Sequence, residues 1–168
     1  MTHSVFISYP RIADRRWAVS DLQGHLQAEL QLKTGDRDLR VFMDTHDIVT
    51  GDAWRNALEQ ELQVADVLLV LLAPLWLSSE VCRWELQVYR TARIANGCPS
   101  LIVPLLWDET TMQDAATEDQ EAALREILAL QHQDWRDFKY QHSRDATYMP
   151  AVGRLAGHIA KKLRSKTV

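Results

Sequence analysis

Short apolar runs alternate with longer amphipathic stretches along this chain. Five of the runs have the character of buried strands, and they lie at residues 5–9, 39–43, 67–72, 100–107 and 132–135. The other stretches carry apolar residues every few positions, which predicts helices at residues 14–32, 54–65, 78–95, 119–130 and 149–163. Strands that alternate with helices in this way form a parallel sheet with helices on both faces.

The five strands are expected in the order 2-1-3-4-5, which gives a flavodoxin-like α/β fold of three layers. The topological switch point of such a sheet lies between strands one and three, at their carboxyl ends, and ligands bind there. Two segments flank this point: residues 8–11 after the first strand, and the start of the helix at residues 78–95. Pro104, inside the fourth apolar run, predicts a strand margin or an edge-like position.

The helix predicted at residues 78–95 carries an acidic residue close to its apolar face. On a wheel of about 100° per residue, one apolar arc contains Val81, Trp84, Val88, Ala92 and Ala95. Glu85 falls on the edge of this arc, and Ser78, Cys82 and Tyr89 lie beside it. Because an unpaired buried carboxylate is costly, its placement near the interior predicts a specific partner or function.

Composition narrows the class of protein. We expect the 168 residues to form one domain over residues 1–168, and a net charge of −4 argues against nucleic acid as the main partner. No apolar run is long enough to span a bilayer, and the N-terminus lacks the pattern of a signal peptide. Cys82 and Cys98 indicate neither a disulfide framework nor a zinc site, which fits a reducing cytoplasm. The six histidines show no metal-ligand spacing, so no metal is expected.

Four sequence boxes, in order and with compatible spacing, resemble those of a Toll/interleukin-1 receptor (TIR) domain of bacterial type. The first is VFISYPR at residues 5–11, and the second is VFMD followed by IVTGDAW at residues 41–54, which looks like the second strand and BB loop of the family. The third runs from residue 69 to Glu85 and contains the Ser-x-x-Cys-x-x-Glu signature. The fourth is the strand IVPLLW at residues 102–107.

Two residues depart from the pattern of the family. Thr50 stands where many members have a proline before the loop glycine, in a loop used for assembly. Pro10 stands where a serine or a similar small residue is usual, at the mouth of the expected site. Neither departure removes the glutamate.

The resemblance implies cleavage of the nicotinamide–ribose bond of NAD, which is then a substrate and not a cofactor. It implies that Glu85 is the catalytic acid, because a carboxylate beside the ribose can hold its hydroxyls and stabilise an oxocarbenium-like transition state. Hydrolysis to ADP-ribose and cyclisation both remain open. The residues expected to contact the substrate are Ser8, Tyr9, Arg11, Asp44, Trp54, Ser79, Cys82 and Trp84.

Several of these residues also have a purely structural interpretation. Glu85 would then pair with an arginine such as Arg11 or Arg83. Cys82 would be a small buried thiol, and Ser79 would cap the helix.

The same choice applies to the residues contributed by the first two strands and the two tryptophans. Tyr9 and Arg11 would belong to a solvent-facing loop, and Asp44 would brace the loop that follows it. Trp54 and Trp84 would serve as packing residues.

Two function classes follow from the resemblance. One is an NAD glycohydrolase or cyclase in bacterial anti-phage defence, and the other is a non-catalytic module that signals through TIR–TIR contacts. A receiver-like or nucleotide-binding module is disfavoured, since no acidic cluster follows the first strand. Catalytic members usually work as assemblies, so we expect a monomer to be weakly active or inactive, with its trigger sensed by a partner protein or a further domain.

Overall fold

The computed structural model describes residues 2–44, 52–141 and 145–165. Within them the strands are β1 (Ser4–Ser8), β2 (Arg40–Met43), β3 (Val67–Leu72), β4 (Ile102–Leu106) and β5 (Gln133–Asp134). All pair in parallel, in the order β2-β1-β3-β4-β5. The predicted strand order and flavodoxin-like α/β fold are therefore confirmed.

Helices cover both faces of this sheet. They are α1 (Ala18–Thr34), α2 (Asp52–Val64), α3 (Pro74–Ser78), α4 (Glu80–Ala95), α5 (Glu118–Leu128) and α6 (Tyr148–Ser165), with 3-10 segments at Arg11–Trp17 and Met112–Asp114. No helix among the described residues is long and apolar enough to cross a membrane.

The strands divide their side chains between two hydrophobic cores, as the period-two geometry of a strand requires. Val5 and Ile7 of β1 join the core formed with α1 and α6. Phe6 of β1 and Val70 of β3 join the core formed with α2, α3, α4 and α5. Both faces of the sheet are thus filled, so the carboxyl ends of the strands are where polar side chains can converge.

The first helix was predicted to begin at residue 14, but α1 begins at Ala18. The preceding Arg11–Trp17 segment contains non-helical backbone, and Arg16 (φ 54°) and Trp17 (φ 62°) adopt the left-handed conformation. An apolar repeat does not reveal such positions, because they depend on backbone geometry. The carboxylate of Asp14 accepts hydrogen bonds from backbone N–H groups of the first turn of α1 and so caps the helix from across the break.

The helix predicted at residues 78–95 corresponds to α4, which begins at Glu80, and the short helix α3 that precedes it was not predicted. Pro74 occupies the first turn of α3, a position that proline favours because it lacks the N–H that would be unpaired there. Ser79 separates the helices, and its Oγ accepts a hydrogen bond from the backbone N–H of Cys82 at 3.2 Å. The second helix therefore starts at Glu80, with Ser79 as its N-cap.

The face of α4 that points into the protein also differs from the prediction. The apolar arc that contains Trp84 and Val88 is only half-buried, apart from Ala95, which is exposed. The buried residues of α4 are Cys82, Glu85, Leu86, Tyr89 and Arg93. Glu85 consequently lies deeper in the protein than its place on the wheel indicates.

Strand β5 pairs only with Leu105 and Leu106 of β4. Pro104 is not at a strand margin, because it lies inside β4 in register with Val70 of β3, but it precedes the residues that pair with β5 and is edge-like on that side. The BB-loop residues 48–51, including Thr50, lie outside the described residues, so the predictions for that loop stay predictions.

Candidate active site

A cavity of about 240 Å³ opens at the carboxyl ends of β1 and β2. Its walls come from three regions: the residues that follow β1, the residue that follows β2 together with the first turn of α2, and the start of α4. The lining residues are Tyr9, Pro10, Arg11, Asp44, Trp54, Ser79, Val81, Cys82 and Glu85. Seven of the predicted site residues are therefore brought together at the predicted switch point.

Glu85 is the most deeply buried acidic group of this site, with only 2% of its surface exposed. Its Oε1 accepts a hydrogen bond from Ser8 Oγ at 3.1 Å. No lysine or arginine of the described residues forms an ion pair with it: Arg83 donates to the carbonyl of Leu77, and Arg11 lies 3.5 Å from Asp44. The structural alternative of a Glu85–arginine pair is thus not seen.

The surroundings of Glu85 favour its protonated form. Burial raises the pKa of the Glu85 carboxyl well above its usual value, because a charge is poorly solvated there. The hydrogen bond from Ser8 lowers the pKa, and the carboxylate of Asp44 raises it. A neighbouring positive charge would stabilise the ionised form of such a carboxyl.

Ser8 does not line the cavity but lies behind Glu85. It is fully buried at the end of β1, and its Oγ also accepts a hydrogen bond from Trp76 Nε1 at 3.0 Å. Ser8 was predicted to contact the substrate, and the geometry instead gives it contact with the carboxyl of Glu85. Trp76 was missed by the sequence reasoning, although Pro74 was a helix-start signal that would have placed it on α3.

The opposite wall of the cavity is organised around Asp44. Its backbone carbonyl accepts a hydrogen bond from the hydroxyl of Tyr9, and its Oδ1 accepts one from Trp54 Nε1 at 3.4 Å. Arg11, nearly half of whose side chain is exposed, lies at the rim, 3.5 Å from Asp44 Oδ2. Burial raises the pKa of the Tyr9 phenol, so this hydroxyl acts as a neutral donor. Asp44 therefore braces three residues of the wall.

Cys82 is a poor nucleophile in this structure. It is buried, and burial together with the nearby Glu85 raises its pKa to about 12. The attacking form of cysteine is the thiolate, which such a pKa suppresses at neutral pH. Ser79 both caps α4 and lines the cavity, so its two predicted roles are compatible.

Trp84 is, with Ser8, one of the two predicted site residues that do not line the cavity. It lines a surface groove between α2 and α4, where the guanidinium of Arg55 lies 5.2 Å from its ring centroid. It is adjacent to Glu85 in sequence but points to a different side of α4, as consecutive residues on a helix do. We therefore exclude Trp84 from the candidate site.

Larger depressions exist on the described surface, but they lack convergent chemistry. The groove between α4 and α5 has a volume of about 570 Å³ and is bordered by the Arg90–Glu126 salt bridge, whose atoms lie 2.6 Å apart. Such a half-exposed pair is typical of a protein surface. The smaller cavity at Glu85 is the stronger candidate, because a buried carboxyl with a raised pKa opens into it.

Comparison with known proteins supports the same fold. The TIR domain of the activated Roq1 resistosome, which recognises the pathogen effector XopQ, superposes with a TM-score of 0.62 at 16% identity, covering 94% of this chain and 99% of that chain. The TIR domain of the Toll-related receptor TRR-2 from Hydra magnipapillata gives 0.54 at 15% identity, covering 94% and 97%. The heterodimer of the RPS4 and RRS1 TIR domains gives 0.50 at 13% identity, covering 99% and 98%.

These identities are low enough that the structural likeness establishes the fold alone. No curated protein matches the sequence significantly. The profile of the TIR domain family, however, matches residues 5–149, which is most of the chain. The match spans all five strands except the first residue of β1, and it spans the whole candidate site. The chain therefore belongs to the TIR domain family.

Proposed function

We propose that this TIR domain cleaves the nicotinamide–ribose bond of NAD, releasing nicotinamide together with ADP-ribose or a cyclic ADP-ribose product. The observation that carries the proposal is the Glu85 carboxyl, which is buried, has no cationic partner among the described residues, and opens into a cavity at the sheet's switch point. A carboxyl in that environment is arranged to meet a positive charge brought by a ligand.

The chemistry of NAD supplies such a charge. The nicotinamide ring is a cationic pyridinium, and when its bond to the ribose breaks, the bonding electron pair leaves with the ring as neutral nicotinamide. Positive charge then develops on the ribose, and an ionised Glu85 would stabilise it in a poorly solvated site. Water attacking the anomeric carbon and losing a proton gives ADP-ribose, whereas attack by a base nitrogen of the same molecule gives a cyclic product.

The cavity fits the reacting end of the substrate better than the whole of it. Its volume of about 240 Å³ is below the roughly 300–1,000 Å³ of sites that enclose a drug-sized ligand. We place the nicotinamide and its ribose inside, and the remainder of the dinucleotide across the rim. Arg11 at that rim offers a cation to the pyrophosphate, and Tyr9 and Trp54 offer aromatic walls.

The experiment is to incubate concentrated protein with NAD and to resolve nicotinamide, ADP-ribose and cyclic products by chromatography. Glu85→Ala and Glu85→Gln should release no nicotinamide above background. Glu80→Gln is the matched control, since it removes an exposed glutamate from the same helix. Variants of Glu85 that match the wild type would show that the site assignment is wrong.

The alternative is a non-catalytic TIR scaffold that works through TIR–TIR contacts. One observation favours it: the hydrogen bond from Ser8 already satisfies Glu85 Oε1, as expected of a neutral structural glutamic acid. The RPS4–RRS1 comparison structure is itself a heterodimer of TIR domains. Absence of nicotinamide release under every assembly condition would favour the scaffold.

The wider role that we propose is signalling in bacterial anti-phage defence, in the cytoplasm where NAD is available. It rests on the resemblance of the sequence boxes to those of bacterial members. We further propose that the protein acts together with other TIR copies and with a partner that senses the trigger.

A further inference from the structure

Three buried side chains from separate parts of the chain form a hydrogen-bonded series that ends at the candidate catalytic carboxyl. Trp76 Nε1 on α3 lies 3.0 Å from Ser8 Oγ on β1, and Ser8 Oγ lies 3.1 Å from Glu85 Oε1 on α4. Trp76 and Ser8 are fully buried. Neither lines the cavity at Glu85, so neither is in a position to touch a substrate there.

The chemistry of the three groups fixes the direction of these bonds when Glu85 is ionised, because a carboxylate can only accept. An indole N–H can only donate, so Trp76 must donate to Ser8. Ser8 has a single hydroxyl proton, and the carboxylate of Glu85 is an acceptor within its reach. With one acceptor position of Ser8 occupied by the indole, its proton is directed to Glu85, and the two bonds polarise each other in the same sense.

We propose that Trp76 is a positioning residue for the cleavage reaction: acting through Ser8, it keeps the Ser8 hydroxyl donating its hydrogen bond to Glu85 and so favours the ionised carboxylate. This inference rests on the proposed function, because the ionised form matters only if Glu85 meets a developing positive charge. Ser8 changes accordingly from a predicted substrate contact to the link between Trp76 and Glu85.

The other groups that face Glu85 do not supply this effect. Asp44, at the end of β2, raises the pKa of Glu85, and Cys82 on α4 is held as a neutral thiol. Tyr9, after β1, is a neutral phenol, and Arg11 at the rim lies 3.5 Å from Asp44. Burial also opposes ionisation, which leaves the Ser8 hydrogen bond as the effect that lowers the pKa of Glu85.

The test is the pH dependence of kcat/KM for nicotinamide release, whose acid limb reports the ionisation of the free enzyme. Ser8→Ala should move this limb to higher pH by about one unit, the size expected from losing a hydrogen bond to a charged group. Trp76→Phe should move it in the same direction by a smaller amount, because the Ser8 hydrogen bond is weakened but not removed. Activity should recover at high pH in both variants, since the carboxylate itself is intact.

The double variant tests whether Trp76 acts through Ser8. Trp76→Phe introduced into Ser8→Ala should give no further shift of the limb, because the link is already lost. Additive shifts would contradict the proposal that Trp76 acts through Ser8, and they would indicate that Trp76 affects Glu85 directly.

A matched control separates positioning from packing. Trp107 is equally buried, and its indole N–H has no hydrogen-bond partner among the described residues. Trp107→Phe should lower stability without moving the pH limb. A merely structural role for Trp76 predicts the same behaviour for Trp76→Phe, and that result would overturn the proposal. If Trp76→Phe does not fold, benzothienylalanine at position 76 keeps the ring shape and removes only the N–H.

A second readout does not depend on activity. The carbonyl stretch of protonated Glu85, isolated in the infrared by subtraction of Glu85→Gln, should titrate at higher pH in Ser8→Ala and Trp76→Phe than in the wild type. An unchanged midpoint would refute the coupling. If wild type releases no nicotinamide while the midpoint shifts, the proposed function fails and the coupling of Trp76 to Glu85 stands.

Discussion

Glu85 combines two properties that rarely occur together, deep burial and the absence of an ion pair within the described structure. Ser8 provides one hydrogen bond, which lowers the pKa, but burial dominates and raises it. A cation entering the cavity would shift this balance towards the carboxylate. Binding of a pyridinium ligand should therefore release a proton from the protein.

The raised pKa of Glu85 has a consequence for stability that can be measured without substrate. As pH rises, the unfolded chain releases the Glu85 proton near its ordinary pKa of about 4.3, while the folded protein retains it. The free energy of unfolding therefore falls with pH from about pH 4 up to the pKa of the folded state. Each unit of difference between the two pKa values corresponds to about 1.4 kcal/mol.

Glu85→Gln removes this effect, because glutamine does not ionise. The variant should be about as stable as the wild type at pH 4 and increasingly more stable towards pH 8, as measured by urea denaturation. Glu80→Gln should show no such trend, since Glu80 is exposed. A constant difference between Glu85→Gln and the wild type across this range would argue against a raised pKa.

The helix α4 determines how Glu85 is presented, and its start depends on Ser79. Ser79 accepts a hydrogen bond from the N–H of Cys82 and ends the preceding helix α3, so it fixes the break between them. Glu85 follows Ser79 by less than two turns. Without this cap the first turn of α4, which borders the candidate site, would fray.

Ser79→Ala should lower the free energy of unfolding by about 1 kcal/mol, the usual effect of losing an N-cap. Its neighbour Ser78 provides the control, because the Ser78 hydroxyl is exposed and bonds only the carbonyl of Leu75 among the described residues. Ser78→Ala should change stability by less than about 0.5 kcal/mol. Equal effects of the two substitutions in urea denaturation would contradict the capping role.

The sheet could be predicted from the sequence, whereas the buried face of α4 could not. Strands β1 and β3 are apolar on both faces, a pattern that directly reports their burial between two layers. On α4, the polar atoms of the buried Tyr89 and Arg93 have partners on Asp66, because the Tyr89 hydroxyl donates to its backbone carbonyl and Arg93 Nη1 lies 3.7 Å from its carboxylate. A helical wheel contains no information on such long-range partners.

The candidate site was predictable to the extent that it follows from topology and from the family signature. Parallel strands place Tyr9, Asp44 and the start of α4 at one edge of the sheet, so a shared cavity was expected. Trp84 was assigned to the site because it is adjacent to Glu85 in the sequence. The two side chains, however, point to different sides of α4. The Trp76–Ser8 hydrogen bond joins positions far apart in sequence and required the structure.

At the scale of the whole molecule, the cavity holds only part of the proposed substrate. The rest of an NAD molecule would lie across the rim near Arg11, where a second copy of the chain could cover it. Two comparison structures contain TIR domains in assemblies, the Roq1 resistosome and the RPS4–RRS1 heterodimer. Because the cavity holds only part of the proposed substrate, we expect the proposed activity to depend on self-association.

Specific activity for nicotinamide release should rise with protein concentration and with a crowding agent. Mass action is the reason, because an assembled state that completes the site becomes populated as concentration increases. Glu85→Gln, assayed over the same range, controls for contaminating activity. A specific activity that is independent of concentration would show that the monomer carries a complete site.

The most direct test of the account is the initial rate of nicotinamide release from NAD by concentrated wild type and by Glu85→Gln at the same pH and concentration. The account predicts a decrease of about 100-fold or more, the scale expected when a group that stabilises transition-state charge is removed. Glu80→Gln should stay within about twofold of the wild type. A Glu85→Gln enzyme that releases nicotinamide at the wild-type rate would contradict the central role assigned to Glu85.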